Sequence, residues 1–115
     1  MNLAIRRAEP RDVPRMLELV RELALFERAP EAVTVTQEEM YDAGFGSNAV
    51  WVGWVAEEAN TIQGMAICYV RYSTWRGRVL YLEDIVVTEA ARGHGIGDRL
   101  IRTCISYAAA NNYNS

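Results

Sequence analysis

The chain contains no lysine; all 12 basic residues among its 115 are arginine. That excludes a phosphate loop of the Walker type, whose lysine reaches the phosphates, and any Schiff-base chemistry on a lysine amine. A genomic codon bias toward arginine is the simplest source of the imbalance. Histidine occurs once, at His94, so no histidine metal cluster forms and no metal is implied. The two cysteines, Cys68 in a strand-like run and Cys104 on a helix-like apolar stripe, read as buried thiols rather than as a disulfide or metal pair. No apolar run suits a membrane span, and MNLAIRRAEP has no signal-peptide core, which points to the cytoplasm and to no membrane partner. A net charge of −3 and a pI near 5.2 argue against the basic face of a general nucleic-acid binder. What is present is apolar material, 50% hydrophobic and 10% aromatic residues, enough for the core of one globular domain over residues 1–115.

The order of elements follows from periodicity and punctuation. Leu3 to Arg7 alternates weakly as a first strand, and Pro10 sits where a helix begins. Val13, Met16, Leu17, Val20 and Leu23 recur at helical spacing as far as Phe26. Thr36-Gln37-Glu38-Glu39 has the form of a capping box opening a short second helix that Gly44-Phe45-Gly46 ends. Val50 to Ala56 and Ile62 to Tyr72 read as a hairpin joined by the polar residues 57–61, and Arg78 to Val87 as the next strand. Leu100, Ile101, Cys104, Ile105 and Ala108 mark one stripe of a last helix. There are no repeats, linkers or low-complexity tracts.

Within that last strand, Leu80-Tyr81-Leu82-Glu83-Asp84-Ile85-Val86-Val87 has apolar residues on both alternating faces, the pattern of a strand buried on two sides, yet carries two carboxylates in its middle. Directly downstream runs Arg92-Gly93-His94-Gly95-Ile96-Gly97, with the helix opening at about Gly95 or Gly97. Free N–H groups and the positive helix end favour an anion there, and glycine lets the backbone approach it or take positive φ. An anion site, with Arg92 able to grip phosphate oxygens, is therefore preferred over a ligand-free turn. A dinucleotide site of the Rossmann type fits less well, because the third glycine of that fingerprint is missing and the strand lies late in the chain. Taken alone, Glu83 and Asp84 are as readily structural, in an ion pair with Arg76 or Arg78 or as caps at an exposed strand segment, as they are functional.

The segment R-x-x-G-x-G formed by Arg92, Gly95 and Gly97 after a strand and at a helix start resembles the acetyl-CoA pyrophosphate motif of the GNAT superfamily of N-acetyltransferases. YLED at 81–84, ELALFE at Glu22 to Glu27 and DAGFG at Asp42 to Gly46 are further similar to the diamine acetyltransferases, which modify spermidine, spermine and related small amines. The likeness implies an α/β (α+β) fold, a mixed and mainly antiparallel sheet with flanking helices. It implies that the backbone of Ile85, Val86 and Val87 pairs with the pantetheine arm of acetyl-CoA, while Arg92, Gly93, His94, Gly95, Ile96, Gly97 and Asp98 wrap the pyrophosphate. Transfer in the family is direct, from thioester to amine within a ternary complex. An alkyl amine is largely protonated near neutral pH, so a base is needed; by its match to the motif Glu83 is that catalytic base, poised by partial burial among Tyr81, Leu82 and Ile85.

Other positions carry open alternatives. On a regular strand Asp84 faces away from Glu83 unless a bulge, such as the family carries, re-aims one of them; it is either a partner for a substrate cation or a structural acceptor. Phe26 and Glu27 line the amine pocket by resemblance, or Phe26 is the last core residue of its helix. Tyr72 and Trp75 close over the substrate or are ordinary hairpin aromatics. The resemblance also implies a further strand, a helix and closing strands that form a second arm of the sheet and supply a tyrosine proton donor. The chain stops at Asn111-Asn112-Tyr113-Asn114-Ser115, so that arm is expected to be absent, and Tyr113 is misplaced for the donor. The expected function is accordingly an acetyl-CoA-dependent N-acetyltransferase acting on a primary amine of a small polyamine-like molecule; the alternative is a truncated acyl-CoA-binding or interaction module. Open apolar edges lead to the further expectation of a homodimer.

Overall fold

A computed structural model describes residues 2–115. Four strands, β1 (Ala4–Arg7), β2 (Val52–Glu58), β3 (Thr61–Ser73) and β4 (Gly77–Val87), form one sheet in chain order with every neighbouring pair antiparallel. Three helices flank it: α1 (Val13–Phe26), α2 (Gln37–Phe45) and α3 (Ile96–Ala110). The mixed α/β class expected from the sequence is the one observed.

Local chemistry sets the boundaries. Pro10 opens a 3-10 turn, Pro10–Asp12, ahead of α1 rather than the helix itself. The Thr36 hydroxyl accepts the Glu39 N–H at 3.1 Å and the Glu39 carboxylate accepts the Thr36 N–H at 3.0 Å, completing the capping box at the start of α2. β2 and β3 are joined by Ala59 and Asn60 alone, both at positive φ, which matches the twist of the flanking strands.

The sheet carries a core on each face. On one, Met16, Leu17 and Leu19 of α1, each fully buried, pack with Val55, Met65, Ile67 and Val86. Truncating Leu17 to Ala there costs roughly 2–5 kcal/mol. On the other, Ile96, Leu100, Cys104 and Ala108, the helical stripe of α3, pack with Trp54, Ala66, Cys68 and Leu80. Cys68 and Cys104 are both buried free thiols. A buried ion pair secures the first strand to the turn before α1: Asp12, 3% exposed, accepts two hydrogen bonds from the Arg6 guanidinium at 2.8 and 2.9 Å and the Glu9 N–H at 2.7 Å.

β4 differs from the strand read in the sequence. It is the last strand of the sheet, and although Val86 is buried on the α1 face and Leu80 on the α3 face, its middle is open, with Tyr81 (42%), Leu82 (38%) and Glu83 exposed. Its outer edge makes one parallel bridge, Val79 with Asn114, in which the Leu80 N–H donates to the Asn114 carbonyl at 2.7 Å and the Asn114 N–H to the Arg78 carbonyl at 3.0 Å. Tyr113 packs near Tyr107 of α3, 6.2 Å between ring centroids, against the second core.

Candidate functional site

The two carboxylates in β4 are explained by a β-bulge. Ile67 pairs with Asp84 and Cys68 with Leu82, so Glu83 is the extra residue, with no partner on β3. Side-chain direction can be counted from both ends of the strand. Leu80 packs on the α3 face, which puts Tyr81 and Glu83 on the α1 face. Val86 packs on the α1 face, which puts Asp84 there too. The bulge thus turns both carboxylates to the side of α1, against the opposite facing of a regular strand.

A third carboxylate stands nearby. Burial pushes the Asp84 carboxyl up from its ordinary range, and the negative charges of Glu83 and of Glu27, the residue that ends α1, push it further. No ion pair joins Glu83 or Asp84 to Arg76 or Arg78 among the described residues. The site is an acidic surface built by the end of α1 and the bulge of β4, suited to a cation of more than one charge. Glu83 is exposed; the partial burial expected for it is not there, because β4 lies at the sheet edge. Phe26, 71% exposed, is not a core residue; its ring lies under the Arg92 guanidinium. Tyr72 (73%) and Trp75 (96%) extend from the β3–β4 hairpin without packing into either core. Tyr69 and Tyr81 pair across the strands at 5.2 Å between ring centroids, with the Arg71 guanidinium 5.6 Å from the Tyr81 ring.

Next to this surface runs the outer edge of β4, where the Val87 carbonyl already accepts from Arg92 Nε at 3.0 Å. The Thr88 N–H donates to the Gln63 carbonyl at 2.9 Å, which fixes the phase of the β3–β4 ladder. Alternation then turns the backbone groups of Asp84 and Val86 toward β3 and those of Ile85 and Val87 away from it. Of the three residues expected to pair with a pantetheine arm, Ile85 and Val87 present their backbone outward and Val86 presents it inward.

Beyond the strand, a 3-10 turn, Glu89–Ala91, leads into the glycine run. Gly93 (φ +87°) and Gly95 (φ +76°) are in the left-handed region, and Gly95 caps α3. A Cβ built on either would meet no atom within 4 Å, so backbone conformation and an open front, not crowding, call for glycine. The first helical bond runs from the Arg99 N–H to the Gly95 carbonyl at 3.1 Å; the N–H groups of Ile96, Gly97 and Asp98 have no acceptor within the helix. The Ile96 side chain is buried in the second core, so only its backbone faces the loop. Gly97 lies against Val87 and Ile85, where a Cβ would make ordinary contacts at 3.9 and 4.0 Å. The Asp98 carboxylate is held at 2.9 Å by Arg102. His94 is exposed between the two glycines. The arrangement fits an anion at the helix start continued by an extended chain along β4.

Two features lay outside the reach of sequence reasoning. The Arg92 side chain is engaged by the end of β4 and by α1: its Nε donates to the Val87 carbonyl at 3.0 Å, and its guanidinium lies 5.4 Å from the Phe26 ring centroid and 3.8 Å from the Glu22 carboxylate. Glu22 also accepts the Thr88 hydroxyl at 3.0 Å and the Glu89 N–H at 3.1 Å. In sequence Glu22 is one acidic residue on the polar side of a helix, with no local signal to separate it from Glu18. A cleft of about 570 Å³ lies between the start of α1 and α2, lined by Pro10, Val13, Pro14 and Tyr41, and contains none of these groups. No helix among the described residues is long and apolar enough to cross a membrane.

The chain is similar in sequence to named acetyltransferases and in fold to solved ones. The chain is 37% identical over 106 residues to the thialysine N-epsilon-acetyltransferase of Bos taurus, covering 85% of this chain and 62% of that protein. It is 35% identical over 117 residues to spermidine/spermine N(1)-acetyltransferase-like protein 1 of Homo sapiens, covering 96% of this chain and 17% of that protein. It thus spans less than two thirds of the length of either. Among solved structures, a predicted acetyltransferase with acetyl-CoA from Clostridium acetobutylicum superimposes with a TM-score of 0.73 at 20% identity, over 98% of this chain and 77% of that one. The profile of the acetyltransferase (GNAT) family matches residues 2–115, the whole of the strand, glycine loop and helix described above, and the chain belongs to that family.

Proposed function

We propose that this domain binds acetyl-CoA along β4 and the start of α3, and directs its acetyl group to a primary amine of a small polycationic molecule. The observation that carries the reading is the convergence, on one strand, of an outward-facing backbone edge at Ile85 and Val87 with an acidic surface made by Glu27, Glu83 and Asp84. The relatives named for thialysine and for spermidine and spermine favour an amine with a second positive charge.

The fit to the cofactor rests on the protein's own groups. Gly93 to Asp98 offer free N–H groups and an uncrowded front to a pyrophosphate, and the outward N–H and carbonyl of Ile85 with the N–H of Val87 offer donors and an acceptor to an amide-bearing arm. When bound, acetyl-CoA supplies the thioester carbonyl that the amine attacks. Glu83, exposed beside Asp84, takes the proton that the ammonium must lose before its nitrogen can act as a nucleophile, directly or through one water. Asp84 and Glu27 hold the remaining positive charge of the substrate and so fix which nitrogen faces the carbonyl. Glu83 is the catalytic base of this scheme; Asp84, Glu27 and Phe26 are its substrate-binding residues.

The test is an acetyl-transfer assay on the protein in its full reading frame, with acetyl-CoA and a panel of amines matched in length but carrying one, two or three charges. Product formation that rises with charge number supports the proposal. Transfer to none of the amines, with CoA binding intact, removes the enzyme reading.

A further inference from the structure

Loop and helix cradles bind anions tightly only when their N–H groups are held in place before the ligand arrives. A segment with two left-handed glycines is the part of a chain that loses most conformational freedom on ordering. Any ordering left until binding subtracts from affinity. Residues 88–95 therefore need an anchor, and the structure supplies one from a different element. Glu22 of α1 accepts hydrogen bonds from the Thr88 hydroxyl and the Glu89 N–H, so its carboxylate caps the short turn that starts the loop. The same carboxylate lies 3.8 Å from Arg92, which holds the Val87 carbonyl and rests over Phe26. The end of β4, the turn, Arg92 and α1 are thereby closed into one circuit.

We infer that Glu22 is a positioning residue that orders the anion loop, and that Arg92 is the strut completing this circuit rather than a ligand of the phosphate. The inference rests on reading the loop as the cofactor cradle. Its physical basis is charge as well as geometry. The Arg92 guanidinium is held by three groups at once, the Val87 carbonyl, the Glu22 carboxylate and the Phe26 ring, which fix it against the end of β4 and α1. Removing Arg92 leaves the Glu22 carboxylate uncompensated and the Val87 carbonyl unheld. The loss to CoA then comes through the loop, not through a missing phosphate contact. The circuit also joins the two halves of the site, because Phe26, under the Arg92 guanidinium, is adjacent to Glu27 of the acidic surface.

The test uses Glu22→Ala, Glu22→Gln, Arg92→Ala and the double variant Glu22→Ala with Arg92→Ala. Amide hydrogen exchange is followed in the ligand-free proteins, and CoA affinity is measured by calorimetry. Glu22→Ala is expected to speed exchange of the amides at 89–98 by about tenfold while leaving the core of α3 unchanged. Both single variants are expected to weaken CoA about fivefold or more, with the double variant little weaker than either, as for two residues acting through one element. Glu22→Gln keeps only one of the two acceptor oxygens that Thr88 and Glu89 use and loses the charge facing Arg92, so it is expected to restore about half of the exchange protection, a rise over the parent that still tests the role if the alanine variant folds poorly. Unchanged exchange in both Glu22 variants overturns the positioning role. An Arg92→Ala loss of the same size with and without Glu22 makes Arg92 a phosphate ligand and overturns the strut. If the parent binds no CoA, the cofactor reading alone fails, and the exchange data decide the role of Glu22.

Discussion

The sulfur of Cys68 on β3 lies 3.5 Å from the sulfur of Cys104 on α3, two buried thiols in hydrogen-bond contact across the core that carries the glycine-loop helix. Their contact divides them. The hydrogen bond with Cys104, aided by burial, pushes the Cys68 thiol up, whereas the same bond lowers Cys104 against the effect of its own burial. Cys104 is therefore expected to be the first thiolate formed as pH rises. Brief alkylation at mildly alkaline pH followed by peptide mapping should find the label on Cys104; label first on Cys68 contradicts the assignment.

Asp84 is expected to cost stability for the sake of its position. Its folded-state carboxyl is raised, so its favourable contribution is complete at acidic pH and is lost as pH rises through the folded value. Asp84→Asn should raise the melting temperature at pH 7, with the gain shrinking as pH falls through the carboxylate range. Because the site is still partly in water, the gain is at most about 1 kcal/mol. The same variant should raise KM for a polycationic amine, and a simultaneous loss of stability and of amine binding would argue for a purely structural acceptor.

Asp12 has the opposite sign. Burial works to raise its carboxyl, but the Arg6 hydrogen bonds, the Glu9 N–H and the charges of Arg6 and Arg11 outweigh it and hold it below the usual range. Its contribution is present above the unfolded-state value and is lost as pH falls through the lower folded value. Asp12→Ala, which leaves Arg6 with Glu57 at 3.0 Å as its one remaining carboxylate partner among the described residues, should cost about 3 kcal/mol in urea unfolding at pH 7. A loss under a third of that would show the pair to be incidental.

Glu83→Gln should lower kcat by about 100-fold and remove the acidic limb of its pH profile, with CoA affinity unchanged. The variant should fold normally, since Glu83 is exposed and has no partner on β3. An unaltered limb would transfer the base role elsewhere.

Gly95→Val should leave both cores intact, because a Cβ there meets nothing within 4 Å, yet strain the backbone at φ +76° by about 1–2 kcal/mol. CoA affinity, read by calorimetry on the folded variant, should fall about tenfold or more as the cradle loses its shape. Full affinity would place the cofactor somewhere other than this loop.

The sequence by itself determined what depends on near neighbours in the chain. The capping box at Thr36 and Glu39, the helical stripes of α1 and α3, the hairpin strands and the glycines at the start of α3 are all set by local spacing, capping and backbone freedom, and each stands within a few residues of its expected place. The family likeness was legible for the same reason, since its motif is a run of consecutive residues. Tertiary structure decided the rest. The open middle of β4 could not be read from its apolar pattern, because the same alternation suits a strand covered along its whole length and one covered only toward its ends. The shared facing of Glu83 and Asp84 depends on one unpaired residue opposite Ile67 and Cys68, a matter of inter-strand register. Arg92 reads as a phosphate ligand while only its neighbours in the chain are known; Glu22 lies 70 positions earlier, and only the packing of α1 against the end of β4 puts its carboxylate where it can hold that arginine and order the loop.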